Sequence, residues 1–365
     1  MTFPEKTSLR PSMYLVLIFT AIIGYDMLSN PLVSVKALGN SGYFAPLAAA
    51  VPVIAIIIAM FALQKRFPGK SGVQCASLII GNVPAVIINL LLIIFWRVFA
   101  ALSARNIMTL VSTQMLLKTP LWFFSTIGYL GIMYLAYHGI ESISRFVAFT
   151  FIPATIIIII VFCAAFPYID IRQLLPVLDF SITDLIKGAF SMSYLYFPLI
   201  LLFLITPYTK KLPSARRFTM AALALSVLVF LIQNICAIGI FGTSGLNRYT
   251  WPTLEFAHVI NIRYIALEQI GVVLLTVWLV LTFGAAAFNY WGTALALSQL
   301  FPKISYKMAV LILALPTGLV LLLPQNIIDT RFYLLIFERW GVLAFFGHPL
   351  ILWLIAVIRR QGKES

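Results

Sequence analysis

Charge is what this sequence has least of. Only 10% of its 365 residues are charged while 62% are hydrophobic, and soluble domains carry about 25% charged residues. So few charges cannot solvate a globule of this length, which excludes a cytosolic enzyme or a string of soluble domains. Cysteine is scarce too. Cys75, Cys163 and Cys236 lie far apart among apolar neighbours, with no C-x-x-C and no metal-ligand spacing, so they read as small buried hydrophobes and say nothing of redox compartment. Neither His138 nor His348 has neighbours suited to a metal. No nucleophile, nucleotide loop or redox centre is legible. The expectation is a protein that is not an enzyme and holds neither metal nor cofactor.

Aromatic and apolar residues are what the chain does have. Its 29 Phe, 15 Tyr and 7 Trp exclude disorder. The net charge of +14 invites a nucleic-acid reading, but the basic residues punctuate apolar stretches instead of forming a patch, as topogenic charges do. The class that remains is a polytopic, all-α membrane protein.

A helix crossing the hydrocarbon needs about 20 mostly apolar residues. Ten runs qualify, near 12–38, 43–64, 82–110, 120–137, 146–168, 182–207, 217–242, 268–300, 307–324 and 340–358. The polar segments between them are brief, so residues 1–365 are expected to form one integral domain. Ser71–Leu78 is expected to lie along the cytoplasmic surface. The N-terminal run is followed by Ser29-Asn30-Pro31 and no small-residue cleavage site, so it is expected to stay as a span. Fifteen basic residues, among them Lys65, Arg66, Arg145, Lys211 and Arg359, fall on the side that holds both termini. Eight, including Lys36, Arg172 and Arg331, fall on the other. The basic-rich side is cytoplasmic by the positive-inside rule, so both termini are expected there.

Two spans are irregular. The first contains Gly24 and Asp26 and crosses only by continuing through Ser29-Asn30-Pro31. Gly24 stands 12 residues past Ser12, or about 18 Å along a helix, near mid-bilayer. The sixth is interrupted by Gly188, Ser191, Ser193, Tyr194, Tyr196 and Pro198. Non-helical backbone is therefore expected near 23–26 and 193–197, with the two breaks adjacent. Broken helices at mid-membrane survive only when buried or lining a cavity. Their place in spans one and six suggests two inverted five-span repeats, about 12–168 and about 180–324 with the tenth helix 340–358 flanking.

A binding pocket is expected between the breaks. Ile23, Gly24, Tyr25 and Asp26 would line it from span one, and Ser191, Ser193 and Tyr194 from span six. Asp26 has two readings: it accepts a ligand ammonium or a proton, or it caps the outer half-helix. Arg97 and Arg105 lie inside the third run, eight residues and about 80° apart. They are candidates for gating or an internal ion pair, with Asp26 or Glu268 as partner, and Arg105 has the alternative of snorkelling to the interface. Glu255 and His258, three apart, are placed to meet on a short amphipathic helix.

Four stretches carry a resemblance to the spore-germination permease family, the B-type subunits of nutrient germinant receptors within the amino-acid/polyamine/organocation superfamily. They are Ile22-Ile23-Gly24 with Pro31; Arg105 with Lys118-Thr119-Pro120; Gly139-Ile140-Glu141-Ser142-Ile143-Ser144-Arg145; and Trp251-Pro252-Thr253-Leu254 with Leu267-Glu268 and Trp278. The resemblance implies a LeuT-like bundle in the spore inner membrane or the bacterial cell membrane. It also implies a small nutrient ligand, amino acid or sugar, with an A-type membrane subunit and a C-type lipoprotein as partners. A working proton-coupled amino-acid permease is the alternative, since both need the same pocket.

Overall fold

The structure, a computed structural model, describes residues 9–115, 117–209, 211–260 and 270–362. Among them the chain is helical throughout, with no strand. That is what lipid demands, because a helix satisfies its own backbone where water is absent.

The first half contains α1 (Pro11–Ile23), α2 (Asn30–Leu38), α3 (Ala45–Arg66), α4 (Gly72–Ile80), α5 (Asn82–Gln114), α6 (Leu121–Tyr137) and α7 (Gly139–Ala165). The second contains α8 (Ile182–Met192), α9 (Leu202–Ile205), α10 (Leu212–Leu246), α11 (Pro252–Val259), α12 (Ile270–Leu300), α13 (Tyr306–Leu322), α14 (Ile327–Val342) and α15 (His348–Ile358). By length and composition, seven helical segments among the described residues suffice to cross a membrane. They are Asn30–Arg66, Asn82–Gln114, Gly139–Tyr168, Ile182–Tyr208, Leu212–Leu246, Ile270–Leu300 and Ile327–Ile358. Three shorter apolar helices, α1, α6 and α13, accompany them.

The last span corrects the sequence reading. Hydropathy opens it at 340, whereas α14 begins at Ile327, where Asn326 caps the helix through the Asp329 N–H at 2.9 Å. Arg331, Glu338 and Arg339 break the apolar run without breaking the helix. A π turn over Leu343–Gly347 then joins α14 to α15. Pro349 lacks the N–H that Phe345 would accept one turn earlier, which favours the wider turn.

The nine-residue α4 spans only about 13 Å, too short to cross. Ser71 and Gln74 cap it reciprocally, and Arg359 donates to the Ile79 carbonyl at 3.0 Å.

At the centre of the bundle stands α1, whose residues from Leu17 to Ile23 are all buried. It packs on α7, α10 and α12 and on the turn that follows α8. Large apolar side chains such as Val51, Phe149, Leu315 and Ile358 point outward and exposed, a surface suited to lipid and not to water.

Candidate functional site

The helix of span one ends at Ile23, with the Gly24 N–H still reaching Thr20 O at 2.8 Å, and the chain then leaves helical geometry until α2. Several carbonyls freed there accept from side chains of the surrounding helices. Trp278 Nε1 donates to Ile23 O at 3.1 Å, and Thr282 Oγ1 to Gly24 O at 2.9 Å. Met27 O accepts from Gln233 Nε2, and from Thr253 Oγ1 at 3.1 Å. Gln233 in turn accepts from Asn30 Nδ2 at 3.0 Å, and Asn30 Oδ1 from Asn234 at 2.8 Å. These groups are fully buried, and unmade hydrogen bonds here would cost about 1–3 kcal/mol each. α10, α11 and α12 thus lock the broken span from behind.

Asp26 sits in the break as a cap. Its Oδ1 accepts from the Ser29 N–H at 3.0 Å and the Ser29 hydroxyl at 2.7 Å, and its Oδ2 from Tyr194 OH at 2.9 Å. The last bond ties the two irregular spans together, and the Tyr25 and Tyr194 rings stand 6.1 Å apart. Adjacency of the breaks, as the sequence predicts, is therefore present. The sixth span is not unwound, however. After Met192 it tightens into a 3-10 helix from Ser193 to Leu201. Pro198 has no N–H to offer, so i to i+3 bonding carries the chain past it. Runs this long are uncommon, and a mid-helix 3-10 stretch often marks a hinge.

Beside the span-one break lies a cavity of about 250 Å³. It runs along α5 from Trp96 and Arg97 to Met108, with α6, α12 and α13 opposite. Ala21, Gly24 and Tyr25 close it from span one and Pro198 from span six. Phe99, Ile107, Phe124, Ile132, Leu279, Phe283 and Leu321 make the wall largely apolar. Ser103 donates to Tyr25 OH at 3.3 Å, holding the ring against α5.

Of the residues expected to line a pocket, this cavity brings together Gly24, Tyr25 and Arg97. Asp26 and Tyr194 lie directly behind Tyr25. Ile23 is turned into the core, Ser193 donates to Phe190 O at 2.7 Å, and Ser191 is exposed, so none of the three lines it. The cavity has thus shifted from the space between the breaks toward span three. Neither arginine of that span pairs with Asp26. Arg97 donates to Thr293 Oγ1 at 3.2 Å and stacks over Tyr290 at 4.3 Å. Arg105 is buried instead of snorkelling and holds the Pro324 carbonyl at 2.7 Å. Glu268 lies outside the described residues. On α11, Glu255 and His258 approach to 3.9 Å.

Several contributors escaped the sequence reading. Gln233 and Asn234 form a polar pair inside the apolar run of span seven, a visible signal. Asn289 and Trp96 line the cavity. Glu338 of α14 comes within electrostatic reach of Asp26, Tyr25 and Tyr194; hydropathy places it outside the tenth run.

The arrangement can enclose a small molecule against a broken helix, and comparison with known proteins agrees with that geometry. Spore germination protein YndE of Bacillus subtilis (strain 168) is 22% identical over 86% of either chain. Spore germination protein B2 of the same organism is 20% identical over 95% of either, and GerQB of Bacillus cereus 22% over 85%. The solved structure of MhsT in complex with L-phenylalanine matches at TM-score 0.71 and 13% identity, over 97% of this chain and 90% of that one. Mhp1, a nucleobase-cation-symport-1 family transporter, matches in its closed conformation with bromovinylhydantoin bound. There the TM-score is 0.66 at 15% identity, over 97% and 80% of the two chains. At such identities these likenesses speak for the fold, a LeuT-type transporter bundle. Residues 8–330 match the permease family described as spore germination protein, and the chain belongs to that family.

Proposed function

We propose that this chain is the transporter-like B-type subunit of a nutrient germinant receptor. It binds a small nutrient, amino acid or sugar, in the cavity beside the span-one break and passes occupancy to an A-type membrane subunit and a C-type lipoprotein, triggering germination. The observation that carries the reading is a small, largely apolar cavity against a broken helix in a member of the spore germination family. In this reading ten spans cross the spore inner membrane as two inverted repeats, about 12–168 and about 180–324, with the tenth helix flanking and both termini cytoplasmic. Deleting the gene in a sporulating host and testing single nutrients is the direct experiment. Loss of response to one nutrient with others retained is expected; undiminished responses to all would overturn the receptor reading.

A second reading, a proton-coupled amino-acid permease, draws on Asp26, an ionisable side chain at the break of span one. Saturable, gradient-driven accumulation of labelled amino acid in vesicles would support it.

A further inference from the structure

The cavity wall includes a cation, Arg97, without a counter-ion among the described residues. Arg97 is only 8% exposed, its one hydrogen bond goes to a neutral hydroxyl, and its Nε has no acceptor. A guanidinium carries five donors in a fork that fits a carboxylate. Among the described residues the ion pairs are Glu141 with Arg145 and Glu255 with His258, so no carboxylate there pairs with Arg97. Two more unsatisfied atoms belong to residues lining the same space. Trp96 Nε1 is a donor on a side chain 6% exposed, and Asn289 Oδ1 is an acceptor. Buried polar atoms ordinarily find partners, and here three belong to residues that line one largely apolar cavity.

The usual alternative seat for an anion is already taken. The N-terminus of a helix attracts a carboxylate, but at α2 that carboxylate is Asp26, which receives the Ser29 N–H itself. A ligand carboxylate placed there would meet the Asp26 carboxylate. The same charge placed at Arg97 meets a guanidinium with donors to spare.

We propose that Arg97, assisted by Trp96 Nε1–H, receives the carboxylate of the ligand. The ligand is then a small monocarboxylate with an apolar side chain, whose amino or hydroxyl group donates to Asn289 Oδ1. This rests on the receptor reading and narrows it, since a neutral sugar gives Arg97 nothing to neutralise it. The volume, about 250 Å³, falls below the roughly 300–1,000 Å³ of drug-sized pockets and suits a molecule of amino-acid size.

The test is calorimetric titration of the full-length protein in nanodiscs with L-alanine, L-valine and L-phenylalanine, each beside its amide, and with D-glucose. At least one free acid is expected to bind, and its amide at least about 100-fold more weakly. Arg97→Gln should bring the acid down to the affinity of its amide while leaving the amide unchanged. Trp96→Phe keeps the ring, removes the N–H and should weaken the acid alone by about 3–10-fold. If Arg97→Gln does not fold, the acid-to-amide ratio and Trp96→Phe decide. Equal affinities for acid and amide, an acid that still binds Arg97→Gln tightly, binding of D-glucose alone, or no binding by any probe overturns the assignment. The deletion strain, assayed separately, then tells whether the receptor reading falls with it.

Discussion

One methyl group at Gly24 is expected to push the broken helix away from α12. The backbone there, at φ −69° and ψ −15°, suits alanine, so the penalty is steric. A Cβ would stand 2.8 Å from the Leu281 carbonyl oxygen on α12 and from Thr20 O, and 2.9 Å from the Ala285 methyl. Backbone atoms cannot rotate aside, and overpacking of this kind costs about 1–3 kcal/mol. Separation would also weaken the Thr282 bond to Gly24 O, now 2.9 Å and worth about 0.5–1.5 kcal/mol. Against this, alanine restricts the unfolded chain and returns about 0.4–1 kcal/mol. Gly24→Ala should therefore destabilise by about 1–3 kcal/mol on balance. Gly128→Ala is the control: it lines the same cavity, but its Cβ meets only the terminal methyl of Met108 at 3.3 Å. Tryptophan-fluorescence melting of both purified variants should show a lower midpoint for Gly24→Ala alone. Equal midpoints would refute the claim that α1 and α12 require a bare backbone there. The same geometry rules out Gly24→Leu as a clean plug, because its side chain would start against α12.

The oxygens of Asp26 already accept three hydrogen bonds from within the chain, so Asp26→Asn, which keeps an acceptor for Ser29, should shift the germination dose response less than tenfold, or 1.4 kcal/mol; a larger loss of sensitivity would make it a ligand or proton acceptor. Gln233→Leu strips a donor from Met27 O and an acceptor from Asn30 Nδ2 and should lower stability by about 1–3 kcal/mol, with Gln233→Glu rescuing poorly because it brings a charge into a buried network; chemical denaturation reads both. Burial pushes the Cys75 thiol up to about 12. Only roughly one thiol in 10,000 is then ionised at pH 8, so its alkylation by iodoacetamide should be slow and rise about tenfold per pH unit; rapid, pH-independent labelling would contradict the packing of α4.

Much of the bundle was legible because hydropathy and helix length are coupled through the thickness of the bilayer. The break in span one was legible too, since Gly24 and Asp26 interrupt a run that has no other way to cross. Helix type within a continuous helix is harder to see: Pro198 signals a disturbance, but whether the chain unwinds or tightens depends on partners such as Asp26 for Tyr194. The start of α14 was hidden because Arg331, Glu338 and Arg339 lower local hydropathy, although charges within a helix do not stop it. Site residues were hardest. Ser191, Ser193 and Tyr194 share a span yet none is in the cavity wall: Ser191 is exposed on α8, Ser193 turns its hydroxyl back to Phe190 O, and Tyr194 bonds Asp26. Arg97 was legible as a deep charge; that its surroundings include Thr293, Tyr290 and Asn289 follows only from how α12 packs against α5.

The central claim is that the cavity along α5 is where a nutrient is sensed, and Ala104→Phe tests it most directly. Ala104 lines the cavity on α5 and is only partly buried, so an added ring fills the space without adding charge. Spores carrying the variant should keep normal protein levels and lose the response to the one nutrient whose response the gene deletion abolishes, with responses to other nutrients unchanged. An undiminished response at normal protein level would place nutrient sensing elsewhere and contradict the account.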